Sequence, residues 1–414
     1  MGADGSELPA PLEPLEPKEP TMTARTRLWV LAVSTPIIAF TLIGGYLGQA
    51  MVRDDTVRHL RIFEDVVALV VDNYVEEVDV KKTLSGAMRG LAEGLDPDSA
   101  FLTPALVKAV ESQEPPAPAD IGVEITRQYY LRIISAREGS PAAKAGLRTG
   151  DYIRAIDGRP TREMSGYEGA RLLRGAAGST VNLLIIRGNA PVDPHEVTLT
   201  RERPTTPDMT SRMANPTTGY IRINEFTAAA PAGIKQAVDA LAKTGATRYL
   251  IDLRGSARGD LDNGVAAARL FVGSGTLAVR ETRTEKNEIA KNVIAAESSD
   301  GAITAPVVLL VDQGTAGAAE LFAAALDGNK RTELVGERTL GRAARQRLIK
   351  LPDGSGLLLS TVRYLSPSSE AIHEKGLAPD VQVDQPDVEF GADPPAGDPT
   401  LDKALEQIAE KTAA

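Results

Sequence analysis

The chain has 414 residues, of which 43% are hydrophobic and 25% charged, so two folded domains with appendages are expected. Its formal net charge of -10 and the lack of a basic stripe with interleaved aromatic residues exclude a nucleic-acid partner. The sequence has no cysteine and only three scattered histidines, which excludes thiol catalysis and disulfides and predicts no metal site and no cofactor.

The first predicted element is a membrane anchor. Residues 1–24 are rich in proline and glutamate and predict a disordered cytoplasmic tail. The twenty-five residues 28–52 carry no charge, and about 20 apolar residues suffice for a helix to cross the hydrocarbon core. Arg25 and Arg27 precede this run, as the positive-inside rule expects for a single-pass protein whose bulk is extracytoplasmic, on the periplasmic side. The alternative is a cleaved signal peptide that ends near Ala50.

Residues 56–113 form a predicted helical segment. Apolar residues recur at helical spacing between Thr56 and Asn73 and indicate an amphipathic helix that leads away from the membrane. These residues are Leu60, Phe63, Val67, Val70 and Val71. The sequence EPPAPAD at 114–120 then interrupts any regular element, because proline disfavours both a helix interior and a central strand.

Two folded modules are predicted next. The first covers residues 120–200 and ends where the alternating apolar residues Val197 and Leu199 give way to a turn-rich stretch. The second covers residues 210–383 and contains apolar strands such as GYIRINEF and YLIDL. Residues 384–414 predict an acidic, proline-containing linker and a short terminal helix.

Within the second module, VVLLVDQGTAGAAELFAAAL predicts a strand, an elbow of small residues and a helix, and LVGERTLGRAARQ follows. These segments, the turn LDPDS, the stretch GSPAAKAGLRTGDYIRAIDG and the closing LPDGSGLLLSTVRYLSPSSEAIHEKGLAPDVQV resemble, in order, the motif blocks of the carboxyl-terminal processing (tail-specific) serine peptidases. The resemblance implies a mixed α/β fold, with a PDZ domain at 120–200 and a peptidase core of the ClpP/crotonase-like type at 210–383.

The resemblance also identifies two substituted catalytic positions. The family elbow reads roughly GSASASE and the later loop TFGKGSVQ, so the nucleophilic serine falls on Gly317 and the basic lysine on Arg342. The glutamine that follows is retained as Gln346. A serine needs a base to take its proton, and arginine stays protonated above pH 12. Thr315 carries the nearest hydroxyl, two residues earlier on the elbow and without a base.

The oxyanion hole is placed by the same resemblance at Ala318 and at Gly259 in the loop LRGSARG, where the family has LRNNPGG. Arg258 replaces a glycine of that loop. Two readings of Arg342 stay open: a solvated loop residue, or a basic cleft formed with Arg258 that binds a carboxylate. We expect the Gln346 amide to hydrogen-bond the elbow.

The predicted PDZ domain offers a binding site for peptide tails. Such domains add a peptide as an extra strand and hold its carboxylate with backbone N–H groups, here at Asp120, Ile121, Gly122 and Val123. Asp120 stands where the family usually has glycine and would repel that carboxylate if its side chain faces inward. The alternative is a module that only packs against the core.

The sequence therefore predicts a membrane-anchored, extracytoplasmic homologue of the tail-specific peptidases that is catalytically inactive. Its predicted role is to bind protein tails, as a regulator of an active relative or an adaptor for it. The alternatives are a serine endopeptidase with a non-standard nucleophile, and a structural envelope protein that binds no peptide.

Overall fold

The computed structural model of the chain describes five stretches, residues 57–112, 117–188, 194–386, 388–392 and 397–410. The predicted tail of residues 1–24 and the predicted anchor of residues 28–52 lie outside these stretches. Within them, no helix is both long enough and apolar enough to cross a bilayer.

Backbone contacts divide the chain into residues 1–84 and 85–414. The described part of the first unit begins with helix α1, residues 57–73, where apolar spacing predicts a helix. Its large apolar side chains are mostly exposed, Leu60 and Leu69 each by 62%. The elements that follow are α2 (Val80–Glu93), β1 (Ala100–Leu102) and α3 (Pro104–Glu111).

The segment that resembles a PDZ domain folds as one antiparallel sheet with short helices. Its strands are β2 (Val123–Gln128), β3 (Tyr130–Ala136), β4 (Tyr152–Ile156), β5 (Arg159–Pro160), β6 (Thr180–Ile186) and β7 (His195–Thr200). Its helices are α4 (Pro141–Lys144), α5 (Gly166–Leu173) and the 3-10 turn Thr161–Glu163. The strand order β2-β3-β4-β6-β7 puts β2 and β7 at opposite edges. Alternating apolar residues such as Ile133 and Ile185 form a separate hydrophobic core.

The second module is built on a six-stranded sheet with the order β19-β16-β15-β11-β9-β8, parallel except for β8. These strands are β8 (Met209–Asn215), β9 (Thr218–Ile223), β11 (Arg248–Asp252), β15 (Val307–Val311), β16 (Leu334–Gly336) and β19 (Val381–Gln382). The predictions of strands in GYIRINEF and YLIDL are confirmed, with β10 (Glu225–Phe226) completing the first.

Helices cover both faces of this sheet, which explains why β15 is buried along its whole length. The helices are α6 (Ala230–Lys243), α7 (Leu261–Ala268), α8 (Ala318–Gly328) and α9 (Pro399–Glu410). The first three share the larger hydrophobic core. Ala404 and Ile408 of α9 pack on the other face, against Leu250 and Val335.

A second sheet has the order β1-β18-β13-β14, with β17 paired to β18. Its strands are β13 (Thr276–Arg283), β14 (Ile289–Ala295), β17 (Ala344–Lys350) and β18 (Gly356–Leu365). A short parallel pair joins β12 (Arg258–Gly259) to β10. The carboxyl ends of parallel strands meet at one edge of a sheet, so the loops after β11 and β15 lie together.

Candidate active site

The elbow between β15 and α8 has a backbone shape that favours glycine. Gly317 has φ 64° and ψ -118°, a conformation that residues with a side chain adopt only under strain. Space is not the obstacle, because a Cβ atom at this position would lie 3.7 Å from the Arg342 carbonyl oxygen and 3.7 Å from Leu261 Cδ2, which are ordinary contacts. The elbow therefore has room for a serine that the sequence does not supply.

Glu320, which is not among the predicted site residues, connects the elbow to the loop that carries Arg342. Its side chain is fully buried. One carboxylate oxygen accepts from the backbone N–H groups of Gly317 (3.0 Å) and Arg342 (2.7 Å). The other accepts from the Gly341 N–H (2.6 Å) and from the Thr339 hydroxyl. Burial raises the pKa of Glu320, and these hydrogen bonds oppose that shift.

A signal for Glu320 was present in the sequence. It is the third residue of α8 in GTAGAAE, the position from which a glutamate side chain reaches back to the N-cap backbone. Such a residue is expected to be exposed, and only the structure shows it buried.

Four predicted site residues line one open crevice of about 390 Å³: Gly259, Gly317, Arg342 and Gln346. Ala318 begins α8, so its N–H belongs to the helix donors that have no partner within the helix. The remaining lining residues are Glu124, Glu225, Ala257, Arg258, Asp260, Leu261, Ala344 and Arg345. Among the described residues that line this crevice, none carries a hydroxyl, a thiol, an imidazole or an amine.

Arg342 is neither a solvated loop residue nor part of a free basic cleft. Its Nε atom lies 3.0 Å from the Asp98 Oδ1 atom, and the Asp98 side chain is only 7% exposed. Asp98 is the fourth residue of the turn LDPDS. A carboxylate buried to this extent needs a charged partner, so Arg342 is held by the protein itself.

Arg258 joins the two modules across the crevice. Its Nε atom lies 3.2 Å from Glu124 on β2 and 3.5 Å from Glu225 on β10. Burial raises the pKa of Glu124 more than the neighbouring charges of Arg258, Arg342 and Arg174 lower it.

Arg345 completes the set of three arginines in the crevice. One of its terminal nitrogens lies 2.7 Å from Asp260 and 3.1 Å from Asp262, both at the start of α7. Since each crevice arginine faces a carboxylate of the chain, the crevice is lined by balanced ion pairs. The proposed basic cleft is not what the structure contains.

The prediction that the Gln346 amide hydrogen-bonds the elbow is wrong. The Gln346 amide donates to the Ser360 hydroxyl (3.1 Å) and lies 3.4 Å from the Ala344 carbonyl oxygen. Gln346 and Ser360 are paired residues of β17 and β18, so the ladder register directs the amide to the neighbouring strand.

Thr315 is fully buried and is not among the residues that line the crevice. Its hydroxyl oxygen lies 3.0 Å from the Leu253 carbonyl oxygen and 3.0 Å from Asp312 Oδ1, and it accepts from the Asp312 N–H. Burial raises the pKa of Asp312. The hydroxyl thus fastens the elbow to the loop after β11, which leaves it unable to reach a substrate.

A groove of about 250 Å³ lies between β2 and α5 and reaches the crevice. Its wall includes Ile121, Val123 and Leu173 from the first module and Leu358 from the second. Glu124, Arg342 and Gln346 line both cavities, so a chain in the groove would pass directly to the crevice.

Gly122 stands at the start of this groove with φ 83°, and a Cβ atom there would lie 2.1 Å from the Ser140 Cβ atom. Asp120 is nearly buried; its carboxylate lies 2.6 Å from Arg137 and 3.9 Å from Arg174. The expected repulsion of a peptide carboxylate is therefore offset by two guanidinium groups. Of these two, Arg174 lines the groove.

Comparison with known proteins gives a consistent assignment. The family model for Peptidase family S41 matches residues 217–383, and a PDZ domain model matches residues 132–187. The carboxyl-terminal-processing protease of Synechocystis sp. is 36% identical over 264 residues, covering 63% of this chain and 60% of that protein. The carboxy-terminal processing protease CtpA of Bacillus subtilis is 31% identical over 322 residues, covering 77% of this chain and 67% of that protein.

A solved structure supports the same fold. The photosystem II D1 C-terminal processing protease is 31% identical, with a TM-score of 0.65 over 75% of this chain and 84% of that one. The mixed α/β fold with a PDZ domain, expected from the resemblance, is confirmed.

Proposed function

The chain belongs to peptidase family S41, together with the carboxyl-terminal processing proteases, and from this premise we propose that it binds protein tails without cutting them. The observation that carries the proposal is the composition of the crevice. The resemblance assigns the family's nucleophile and base to Gly317 and Arg342, and no described lining residue of the crevice carries a hydroxyl, thiol, imidazole or amine that could replace either.

Retention of the groove supports a binding role. The groove edge is β2, which can take an added peptide strand, and Gly122 keeps the backbone shape that its loop needs. The groove opens onto the crevice, so a bound tail would reach the position of the lost nucleophile. In this role the protein is a regulator of an active relative or an adaptor that presents tails to it.

The first prediction is that the purified full chain leaves unstructured protein tails intact. Mass spectrometry after long incubation should find no new termini, and a serine-directed activity probe should not label the protein. An active relative, such as the Bacillus subtilis protein, serves as the positive control. Cleavage that Thr315→Ala abolishes would establish an unexpected nucleophile and contradict the proposal, although the buried Thr315 hydroxyl argues against it.

The second prediction concerns tail binding. A peptide with a free carboxylate should bind the full chain more tightly than its amidated twin, because Arg174 lines the groove. Asp120→Asn should increase affinity for the free acid about threefold at low salt, since it removes a negative charge beside Arg174. Titration calorimetry with both peptides measures this. No binding of either peptide would instead favour the structural envelope protein.

The third prediction concerns the membrane. We propose that residues 28–52 span it once and stay uncleaved, leaving residues 1–24 in the cytoplasm and the remainder on the periplasmic side, because the apolar run is long enough and follows two arginines. Protease added to spheroplasts should then digest both folded modules but spare an epitope at the N-terminus. A mature N-terminus near Met51 would contradict an anchor.

A further inference from the structure

Residues 388–392, between β19 and α9, lie on the PDZ domain; we call them the strap. Phe390 is half-buried and packs against the hydrophobic core of that domain. The ring of His195 stacks on the Phe390 ring with a centroid distance of 4.3 Å and an interplanar angle of 9°. The guanidinium carbon of Arg187 lies 4.9 Å from the same centroid. The strap therefore inserts an aromatic anchor into a site made by the PDZ domain.

We call Arg187 and His195 the strap receptor. Its arginine is held in place by a buried negative charge. Asp151 is 1% exposed and binds Arg187 through both carboxylate oxygens, each at 2.7 Å. Arg187 also donates to the Gly146 carbonyl oxygen at 2.6 Å. Its remaining terminal nitrogen lies 3.2 Å from the Glu389 carbonyl oxygen and 3.4 Å from that of Val388. A guanidinium fixed in this way recognises two main-chain carbonyl groups beside an aromatic ring.

This site is separate from the tail groove. Arg187 directly follows β6 and His195 begins β7, whereas the groove runs along β2 at the opposite edge of the sheet. A tail in the groove and the strap on its receptor can therefore be present together.

Asp398, which follows the strap along the chain, binds the peptidase core. Asp398 binds Arg254 with both carboxylate oxygens at 2.8 Å. Arg254 also binds the buried Asp252, whose pKa is lowered to about 2 by Arg222 and by Arg254 itself, against the effect of burial. Arg254 lies near the start of the loop that leads from β11 to Gly259 at the crevice. The strap thus contacts Arg187 on the PDZ domain, and Asp398 contacts Arg254 on the core. Each of these arginines is held by a buried aspartate.

We propose that the strap is an intramolecular ligand of a second binding site on the PDZ domain, and that it holds this domain against the core. The site takes an extended segment that carries a phenylalanine and two accessible carbonyl groups. Holding the domain in place keeps Leu358 of the core as part of the groove wall. Only this last consequence, for the affinity of tails, rests on the proposed function.

The absence of cysteine from the sequence allows a direct test. Spin labels can be attached at two exposed positions, through Glu196→Cys on the PDZ domain and Lys235→Cys on the core. The Glu196 side chain faces away from His195, because the side chains of neighbouring strand residues point to opposite faces of the sheet. Double electron–electron resonance on the full chain should give one narrow distribution of distances between the two spin labels. Phe390→Ala and, independently, His195→Ala should broaden it. Arg212→Ala, which removes a surface arginine–tyrosine contact within the peptidase core domain, should leave it narrow.

We call Phe390→Ala and His195→Ala the strap variants, because each removes one side of the strap contact. Both should also bind a free-acid tail peptide at least fivefold more weakly than the parent chain. A distance distribution that neither strap variant changes would overturn the proposal. Broadening in the Arg212→Ala control as well would overturn it too, since the effect would not be specific to the strap. Broadening in the strap variants with no tail binding by the parent chain would instead contradict the proposed function and leave the strap established.

Discussion

Gly317→Ser combined with Arg342→Lys is expected to produce measurable cleavage of unstructured tails, while each substitution alone stays at background. A nucleophile and its base act as one unit, so either without the other gives almost nothing. The structure leaves room for the serine, because a Cβ atom at position 317 has ordinary contacts at 3.7 Å, one of them to the backbone carbonyl oxygen of residue 342.

Two features limit the gain. A serine at φ 64° carries backbone strain on the order of 1–3 kcal/mol, which glycine avoids. A lysine at position 342 would meet Asp98, whose carboxylate now lies 3.0 Å from the Arg342 guanidinium. A nearby negative charge favours the protonated amine and raises its pKa, whereas a general base must be neutral.

Asp98→Asn should therefore increase the activity of the double variant, about tenfold or more, by lowering the pKa of the new lysine. The rate should also reach its plateau at a lower pH than in the double variant. Asp98→Asn alone should remain at background. Cleavage of a fluorogenic tail peptide across a pH series measures all of these variants. A triple variant no faster than the double, with the same pH profile, would show that Asp98 does not control the base.

The sequence predicts which loops form the site because they follow strands of one parallel sheet. Gly317 follows β15 and Gly259 lies beyond β11, and adjacent parallel strands bring both to one edge. It could not predict the partners of Arg342 and Arg258. Asp98 and Glu124 lie far away along the chain, in the segment before the PDZ domain and in the domain itself. Those pairs depend on how the domain packs on the core, which no local pattern encodes.

Composition did not predict the contact that the C-terminal linker makes with the PDZ domain. An acidic stretch with prolines predicts a linker, and the single phenylalanine in it forms no recognisable motif. The structure gives Phe390 a specific partner because Arg187 and His195 meet at the end of the β6–β7 hairpin. The receptor is formed by tertiary structure, so the sequence offered no motif for it.

The largest effect on stability is expected from Glu320→Ala. Four donors converge on this buried carboxylate: the N–H groups of Gly317, Gly341 and Arg342 and the Thr339 hydroxyl. Each buried donor left without a partner costs about 1–3 kcal/mol, although some will find water or rearrange. We expect the free energy of unfolding to fall by about 4 kcal/mol, measured by chemical denaturation. Glu196→Ala, at an exposed position, should change it by less than about 0.5 kcal/mol.

Glu320→Gln distinguishes a requirement for four acceptor sites from a requirement for volume. Glutamine has nearly the same shape, but its amide keeps one oxygen and replaces the other by a nitrogen that donates. Each Glu320 oxygen accepts from two donors, so in place of one oxygen that nitrogen would face two N–H groups, and in place of the other it would face the Gly341 N–H and could bind only the Thr339 hydroxyl oxygen. The substitution should therefore recover at most half of the stability lost in the alanine variant. Full recovery would mean that Glu320 acts by filling space, and that the elbow and the loop of Arg342 are held together by something other than its charge.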